Sequence, residues 1–360
     1  MNVASIVATI EKFVGLRRSR LKVLALAVAG AIRAGSLRPI DIAEFMPSDT
    51  TIKHRRKRLG RWLGNEKVDP RSIAKAVWFK TGARRVRGWR VVAVDWTMNE
   101  DYWVLMAAVC LRGRAVPVMW KVIPAHCVGF SQNAIEDDFF DDLKEEMGTR
   151  GRWVVVADRG FRRADLIERL DYAGISFVIR IMDDVWVKAR GYEGKLRDWR
   201  FPYGTVALNR DVAFRQKNPV QAHLVRVWRK VNEKPSFWYL ATNLSKETAR
   251  GICRLYACRF WVEEFFRDLK SRFHLRTSRL TDPRKIERIL LVAALLLLIL
   301  FAVGARALAR GWDVGNVPQG RAEGIWSIVL LGLRYLRASP RRIGRILSRL
   351  RPLWLPQTAA

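Results

Sequence analysis

Two aspartates close apolar runs: Asp95 ends Val91-Val92-Ala93-Val94-Asp95, and Asp158 follows Trp153-Val154-Val155-Val156-Ala157. An ionised carboxylate delivered by a buried strand costs several kcal/mol unless it is paired or holds a metal. Taken alone, Asp95 reads equally well as an acid just past a strand edge that caps a turn. Asp158 alone reads better as the N-cap or Asx-turn of a helix opening near Arg162. Two strands of one sheet ending in the same group are harder to dismiss, because open α/β sheets bind ligands at strand ends. Further on, Tyr256, Arg259, Glu263 and Lys270 recur at helical spacing and share a stripe about 60° wide at ~100° per residue. That stripe carries a phenol, a guanidinium, a carboxylate and an ammonium. Its alternative is a salt-bridged surface with Glu263 and Arg267 as an i,i+4 pair; Glu264, about 100° round the helix, is the weaker third acid. Three carboxylates holding two Mg²⁺ ions activate an attacking oxygen and stabilise a leaving one. Nearby Arg and Lys fix a phosphodiester and offset the charge that develops on it.

Such residues need a frame, and the period of the apolar pattern supplies one. Arg90–Asp95, Tyr102–Cys110 and Ala115–Ile123 are three successive runs of strand length, with Arg112-Gly113-Arg114 a turn between the last two, which predicts an antiparallel meander. Gln132–Met147 reads as an amphipathic helix, Trp153–Ala157 as a buried strand, Arg162–Ala173 as a helix and Ser176–Ile181 as a strand. The order β-β-β-α-β-α-β combines an antiparallel set with parallel crossovers. From 182 to 244 the pattern stays strand-like, broken at Arg190-Gly191, Gly194 and Asn218-Pro219, and reads as an insertion into an α/β domain. Lys246–Lys270 and Lys285–Ala305 read as helices after it, and residues 1–85 as mostly helical with a break at Gly35-Ser36.

Charge divides along the same lines. Of 66 Lys+Arg and 34 Asp+Glu, residues 1–90 hold 21 and 6, residues 91–303 hold 35 and 26, and residues 304–360 hold 10 and 2. A net +32 excludes indifference to polyanions, and the 50% hydrophobic content excludes a disordered basic tail. Lys53, Arg55, Arg56, Lys57, Arg58 and Arg61 crowd one predicted helix; it is either a solvated positive face or a helix that contacts DNA phosphates.

Cys110, Cys127, Cys253 and Cys258 form no CxxC pair and the four His are scattered, which argues against a zinc site or a disulfide framework. Glu11 and Lys12 interrupt the N-terminal apolar run, unlike a signal peptide. Ile289–Ala305 is an uncharged run flanked by Arg288 and Arg306. It reads as a buried core helix, with a short membrane span as the alternative.

The stripe Tyr256-x2-Arg259-x3-Glu263-x6-Lys270 matches Y-x2-R-x3-E-x6-K in every position. With VAVDWT around Asp95, VVVADRGF around Asp158 and the strand-rich stretch between the second Asp and the Glu, the chain resembles DDE transposases of the YREK-signature class, insertion-sequence family four. The resemblance runs over essentially the whole chain and is most telling over 61–270.

That resemblance implies an α/β fold with an RNase H-like core, a mixed sheet of three antiparallel strands followed by parallel crossovers. A β-strand insertion and a helical N-terminal domain complete it. The implied division is 1–87 for DNA binding, 88–181 for the first part of the catalytic core and 182–244 for the β-rich insertion. Residues 245–305 would be the core's C-terminal helices, and 306–360 a basic C-terminal region. It implies Asp95, Asp158 and Glu263 as catalytic metal ligands for two Mg²⁺, with Mn²⁺ able to substitute. Tyr256, Arg259 and Lys270 would meet phosphates at the element's end, and Arg55, Arg56, Arg58 and Arg61 would bind DNA. Trp238 would receive a flipped base; an ordinary strand tryptophan, or Trp228 in that role, stays open. The implied partners are double-stranded DNA at terminal inverted repeats and at the target, and a second copy in the synaptic complex. No membrane is implied, and the location is cytoplasmic, at the bacterial nucleoid. A copy that binds DNA and represses without cutting, or a polybasic membrane-anchored protein, are the competing classes. At 360 residues the chain is compact for the group, which puts the extent of the terminal domains in doubt.

Overall fold

The computed structural model describes residues 3–11, 14–71, 86–98, 101–111, 113–148, 151–231, 234–309 and 328–338. The basic C-terminal region therefore lies largely outside the described residues, as do positions 72–85 of the N-terminal region.

Four helices come first: α1 (Val3–Ile10), α2 (Arg18–Ala34), α3 (Pro39–Phe45) and α4 (Ile52–Leu63). Pro39 opens α3 at its first helical position, where its missing N–H costs nothing. Thr51 caps α4 by accepting from the His54 backbone N–H. The apolar side of α4 turns Leu59, Trp62 and Leu63 inward, and the Trp62 indole donates to the Arg20 carbonyl at 3.0 Å.

The chain then builds β1 (Arg90–Met98), β2 (Tyr102–Leu111), β3 (Arg114–Pro124), α5 (Ala125–Met147), β4 (Trp153–Ala157), α6 (Ala164–Tyr172) and β5 (Phe177–Ile181). β2 and β3 pair antiparallel, whereas β1, β4 and β5 run parallel. Val91–Val94 and all of β4 are buried, the continuous apolar run that a strand covered on both faces requires. Pro117 sits in β3, the edge strand, where its absent N–H breaks no ladder.

Strands β6 (Trp186–Ala189), β7 (Tyr192–Lys195), β8 (Val206–Phe214), β9 (Val220–Val231) and β10 (Lys234–Thr242) follow. They do not form a separate body. Tyr239–Thr242 of β10 pair with Val178–Ile181 of β5, giving one ten-stranded sheet in the order β3-β2-β1-β4-β5-β10-β9-β8-β6-β7. This large mixed sheet with its many helices fits the expected RNase H-like α/β class.

The stretch expected as one helix over 246–270 is interrupted twice. α7 (Ala249–Ala257) ends and α8 (Phe260–Arg267) begins across a tightened junction. There Cys258, Arg259, Trp261 and Val262 each donate to the carbonyl three residues back. A π-helical turn over Asp268–Arg272 follows. π-turns insert one residue and recur at functional sites. Here the turn rotates Lys270 away from the position a continuous α-helix assigns to it.

α9 (Pro283–Leu308) contains the long apolar run. It is long and apolar enough to cross a membrane, and 94% of its most apolar window is buried inside the fold. It packs on β3, on α2 and on α10 (Ile328–Ala338). At the crossing with α10, a Cβ on Gly332 would stand 2.0 Å from the Leu300 carbonyl oxygen, and one on Gly304 would stand 2.0 Å from that of Ile328. Only glycine permits backbones this close.

Candidate active site

Parallel pairing sets the first two carboxylates. Val94 of β1 is in register with Ala157 of β4, so the next residues, Asp95 and Asp158, fall beside one another. Asp95 neither ends its strand, as expected, nor lies past the edge, as in the turn-capping alternative: β1 continues to Met98, and Asp95 pairs with Met106 of β2. The Trp96 backbone N–H donates to Asp95 Oδ1 at 2.9 Å. Asp158 does leave its strand, and its Oδ1 accepts from the Gly160 N–H at 2.7 Å, capping a single 3₁₀ turn. The Asx-turn alternative is thus realised at Asp158 alongside its place next to Asp95.

α8 brings the third acid. Arg259 at the junction is 7% exposed. Its Nη1 lies 3.6 Å from Asp95 Oδ2 and its Nη2 pairs with Glu263 Oε1. The guanidinium also lies over the rings of Phe260 and Tyr256, at 4.9 and 5.9 Å from their centroids. Glu263 therefore pairs back to Arg259, while Arg267 pairs with Glu264 at 2.8 Å, so the Glu263–Arg267 pair of the salt-bridged-surface alternative is absent among the described residues. Glu264 lies 3.8 Å from Arg114 as well, which makes it part of the scaffold.

Electrostatics reflect this crowding. Burial, then the charge of Asp158, push the Asp95 carboxyl from 3.8 up to about 7; Arg259 opposes the rise and Glu263 adds to it. The Tyr256 hydroxyl is also pushed up by burial, with Arg259 and Arg180 acting against that. Lys270 is pulled down by burial and by Arg276, with Asp95 restoring part of the loss. Tyr256, Arg259, Lys270, Asp158 and Glu263 thus all lie within electrostatic reach of Asp95 or of its direct neighbours.

Among the described residues, no group of three or more His, Cys, Asp or Glu side chains is arranged to hold a metal ion. The donor chemistry nevertheless fits a hard divalent cation, which takes carboxylate oxygens. Asp95, Asp158 and Glu263 are the residues that could supply them: Asp158 and Glu263 both push the Asp95 carboxyl up, and Arg259, paired with Asp95 and Glu263, balances their charge.

Arg180 was not singled out in the sequence. It is half-buried on β5, in register with Leu240 of β10, and acts electrostatically on Tyr256. Its only sequence signal is an arginine within the otherwise apolar FVIRI strand.

Trp238 reaches the site but is covered. It is 6% exposed, with its ring 5.3 Å from Tyr256 in an edge-to-face contact and 6.3 Å from Phe260. Its neighbours Phe237 and Tyr239 alternate to the opposite face, where Phe237 stacks on Trp228 at 5.2 Å. Trp228 is therefore on the other side of the sheet from Tyr256.

The basic helix is away from this centre and is split in character. Arg55 turns back onto the preceding loop, donating to the carbonyls of Thr50, Glu44 and Ser48, and Arg58 reaches Ser48 Oγ at 3.4 Å. Arg56 and Arg61 are exposed.

No curated protein gives a significant match to the chain. Residues 122–299 match the family model described as the transposase DDE domain. The match runs from β3 into α9 and takes in Asp158, Glu263 and the whole Tyr256–Lys270 stripe, while Asp95 precedes it. Covering a little under half of the chain, it supports a DDE transposase, an enzyme class that acts on DNA.

Proposed function

We propose that the protein is a metal-dependent DNA transposase of the YREK-signature class, which binds terminal inverted repeats, cleaves at the element's ends and joins them to target DNA. The observation that carries this is the pairing of Asp95 and Glu263 with Arg259, with Asp158 acting on Asp95 from the neighbouring strand, together with the DDE-domain match over the second and third acids. DDE domains generally use divalent metals, and Asp95, Asp158 and Glu263 would hold Mg²⁺ here. Bound there, the metal supplies charge for an oxygen that attacks phosphorus and for the oxygen that leaves.

The chain's own residues do the rest. Asp95, pushed up to about 7, is close to half protonated at neutral pH, and would have to be ionised to hold the metal. Arg259, released from Glu263, offers a planar guanidinium to a non-bridging phosphate oxygen. Tyr256 braces it from behind. Lys270 and Arg180 bring further positive charge from the π-turn and from β5, which holds the backbone in place as charge builds on the phosphate. Water attacks first and the freed 3′-OH second, at the same carboxylates. Arg56 and Arg61 contribute phosphate contacts remote from the cut. Two copies would bring two ends together.

Asp95→Asn tests this reading with the element's own ends as substrate. End binding stays within about twofold while Mg²⁺-dependent strand cleavage is lost, a drop of at least ~10³. Undiminished cleavage by the variant removes Asp95 from the reaction.

A further inference from the structure

α5 carries a carboxylate that the reaction above does not use. Glu136 is 1% exposed. Its Oε1 accepts from the Trp96 indole N–H at 2.9 Å and from the Gln132 amide at 3.1 Å, and its Oε2 from Arg163 Nε at 3.3 Å. Arg163 continues to the Asn133 carbonyl at 3.0 Å and pairs with Asp137. A buried carboxylate is retained at this cost only where its oxygens are met by donors, and here every donor is placed.

The two ends of that network are informative. Trp96 follows Asp95, and its backbone N–H holds Asp95 Oδ1; its ring stands edge-on to Trp103 with centroids 6.0 Å apart. Arg163 lies at the end of the turn that Asp158 opens, and its carbonyl accepts the first bonds of α6. α5 meets the Asp158 turn a second time where Phe140 stands edge-on to Phe161 at 6.2 Å. Pairing between β1 and β4 ends at Val94↔Ala157, so the ladder goes no further than the two aspartates, and Glu136 links the segments that follow them, through the Trp96 indole on one side and Arg163 on the other.

We propose that Glu136 is a positioning residue for the metal site: through Trp96 and Arg163 it sets the separation of Asp95 and Asp158. This rests on the metal-binding reading above. Residues that orient metal ligands typically carry about 10- to 100-fold in metal affinity, so their loss shows in binding before any chemistry.

The test is Mn²⁺ titration without DNA, followed by electron paramagnetic resonance of the free ion, near pH 8. It compares wild type with Glu136→Gln, Glu136→Ala and Trp96→Phe. Glu136→Gln keeps an acceptor for Trp96 and removes the charge facing Arg163; Trp96→Phe keeps an aromatic ring and removes the indole N–H together with the rest of the pyrrole ring. Each variant binds Mn²⁺ about tenfold or more weakly with an unchanged circular dichroism spectrum. Because Trp96 and Glu136 act along one chain, the Trp96→Phe/Glu136→Gln double variant loses no more than its weaker-binding parent. A purely structural Glu136 would lower the melting temperature and leave Mn²⁺ affinity within about twofold of wild type, and that result overturns the proposal. Should the Glu136 variants not fold, Trp96→Phe alone decides it by the same criterion. Wild-type protein that binds no Mn²⁺ overturns the parent reading instead, and this one with it.

Discussion

Asp95 and Asp158 stand side by side because Val94 and Ala157, one residue earlier on two parallel strands, are in register. A one-residue slip of β4 against β1 would turn Asp158 to the other face of the sheet. Register is thus as much a part of the site as the acids themselves, and the buried valines on both strands hold it.

The crowding has a cost that pH reveals. Asp95 titrates at about 7 in the folded, metal-free protein against 3.8 ordinarily. An acid whose folded value is raised contributes its full stability below the unfolded value. That stability is lost as pH rises from about 4 through about 7. Asp95→Asn therefore stabilises the metal-free protein at pH 8 by about 2–4 kcal/mol, which raises its melting temperature. At pH 4 the two proteins melt alike. Thermal melts at the two pH values, with chelator present, check this.

In the proposed reaction Arg259 would play opposite parts toward metal and substrate. It pairs with both Asp95 and Glu263, so its removal leaves the carboxylates freer to take a cation. Arg259→Ala binds Mn²⁺ at least as tightly as wild type, yet cleaves DNA ends more slowly by about 10² or more. Calorimetric Mn²⁺ titration beside a cleavage assay separates the two effects; parallel losses in both would show Arg259 to be a scaffold for the ligands only.

The basic helix gives a contrast within one turn. Arg55 holds three carbonyls of the preceding loop, and Arg55→Ala lowers stability by about 1–3 kcal/mol. Arg56→Ala and Arg61→Ala leave the melting temperature alone. Each weakens DNA binding at all sequences and reduces the slope of log K against log salt by about 1. Fluorescence anisotropy across a salt series measures the slope.

Asp268 anchors the π-turn that carries Lys270. It is 4% exposed and pairs with Arg114 at 3.0 Å and Arg272 at 3.3 Å. Asp268→Ala leaves the half-buried Arg114 with only its 3.8 Å ionic contact to Glu264 and costs about 3 kcal/mol. A denaturant midpoint shifted by less than a tenth of that energy would show the pair to be incidental.

Much of this protein is written locally. Apolar runs of strand length, the arginine-flanked core helix and the two acids that follow apolar runs can be read from period and side-chain type, which neighbouring residues determine without distant help. The Tyr256–Lys270 spacing is equally legible, and so is the sign of the protein's partner. Other features depend on contacts far apart in sequence. The strand-rich stretch reads as an insertion, but only the pairing of β10 with β5 makes it an extension of the same sheet. Helical spacing places Tyr256, Arg259, Glu263 and Lys270 on one uninterrupted stripe. The 3₁₀-type junction at Cys258-Arg259 and the π-turn at Asp268 bend that stripe around Asp95, because packing against β1, β2 and β3 overrides regular periodicity. Arg180 and Glu136 carry no sequence signal beyond a charge in an apolar strand and one acid among many on α5. Their roles come from the sheet register and from a buried carboxylate's need for donors, and only the tertiary structure decides where those donors are.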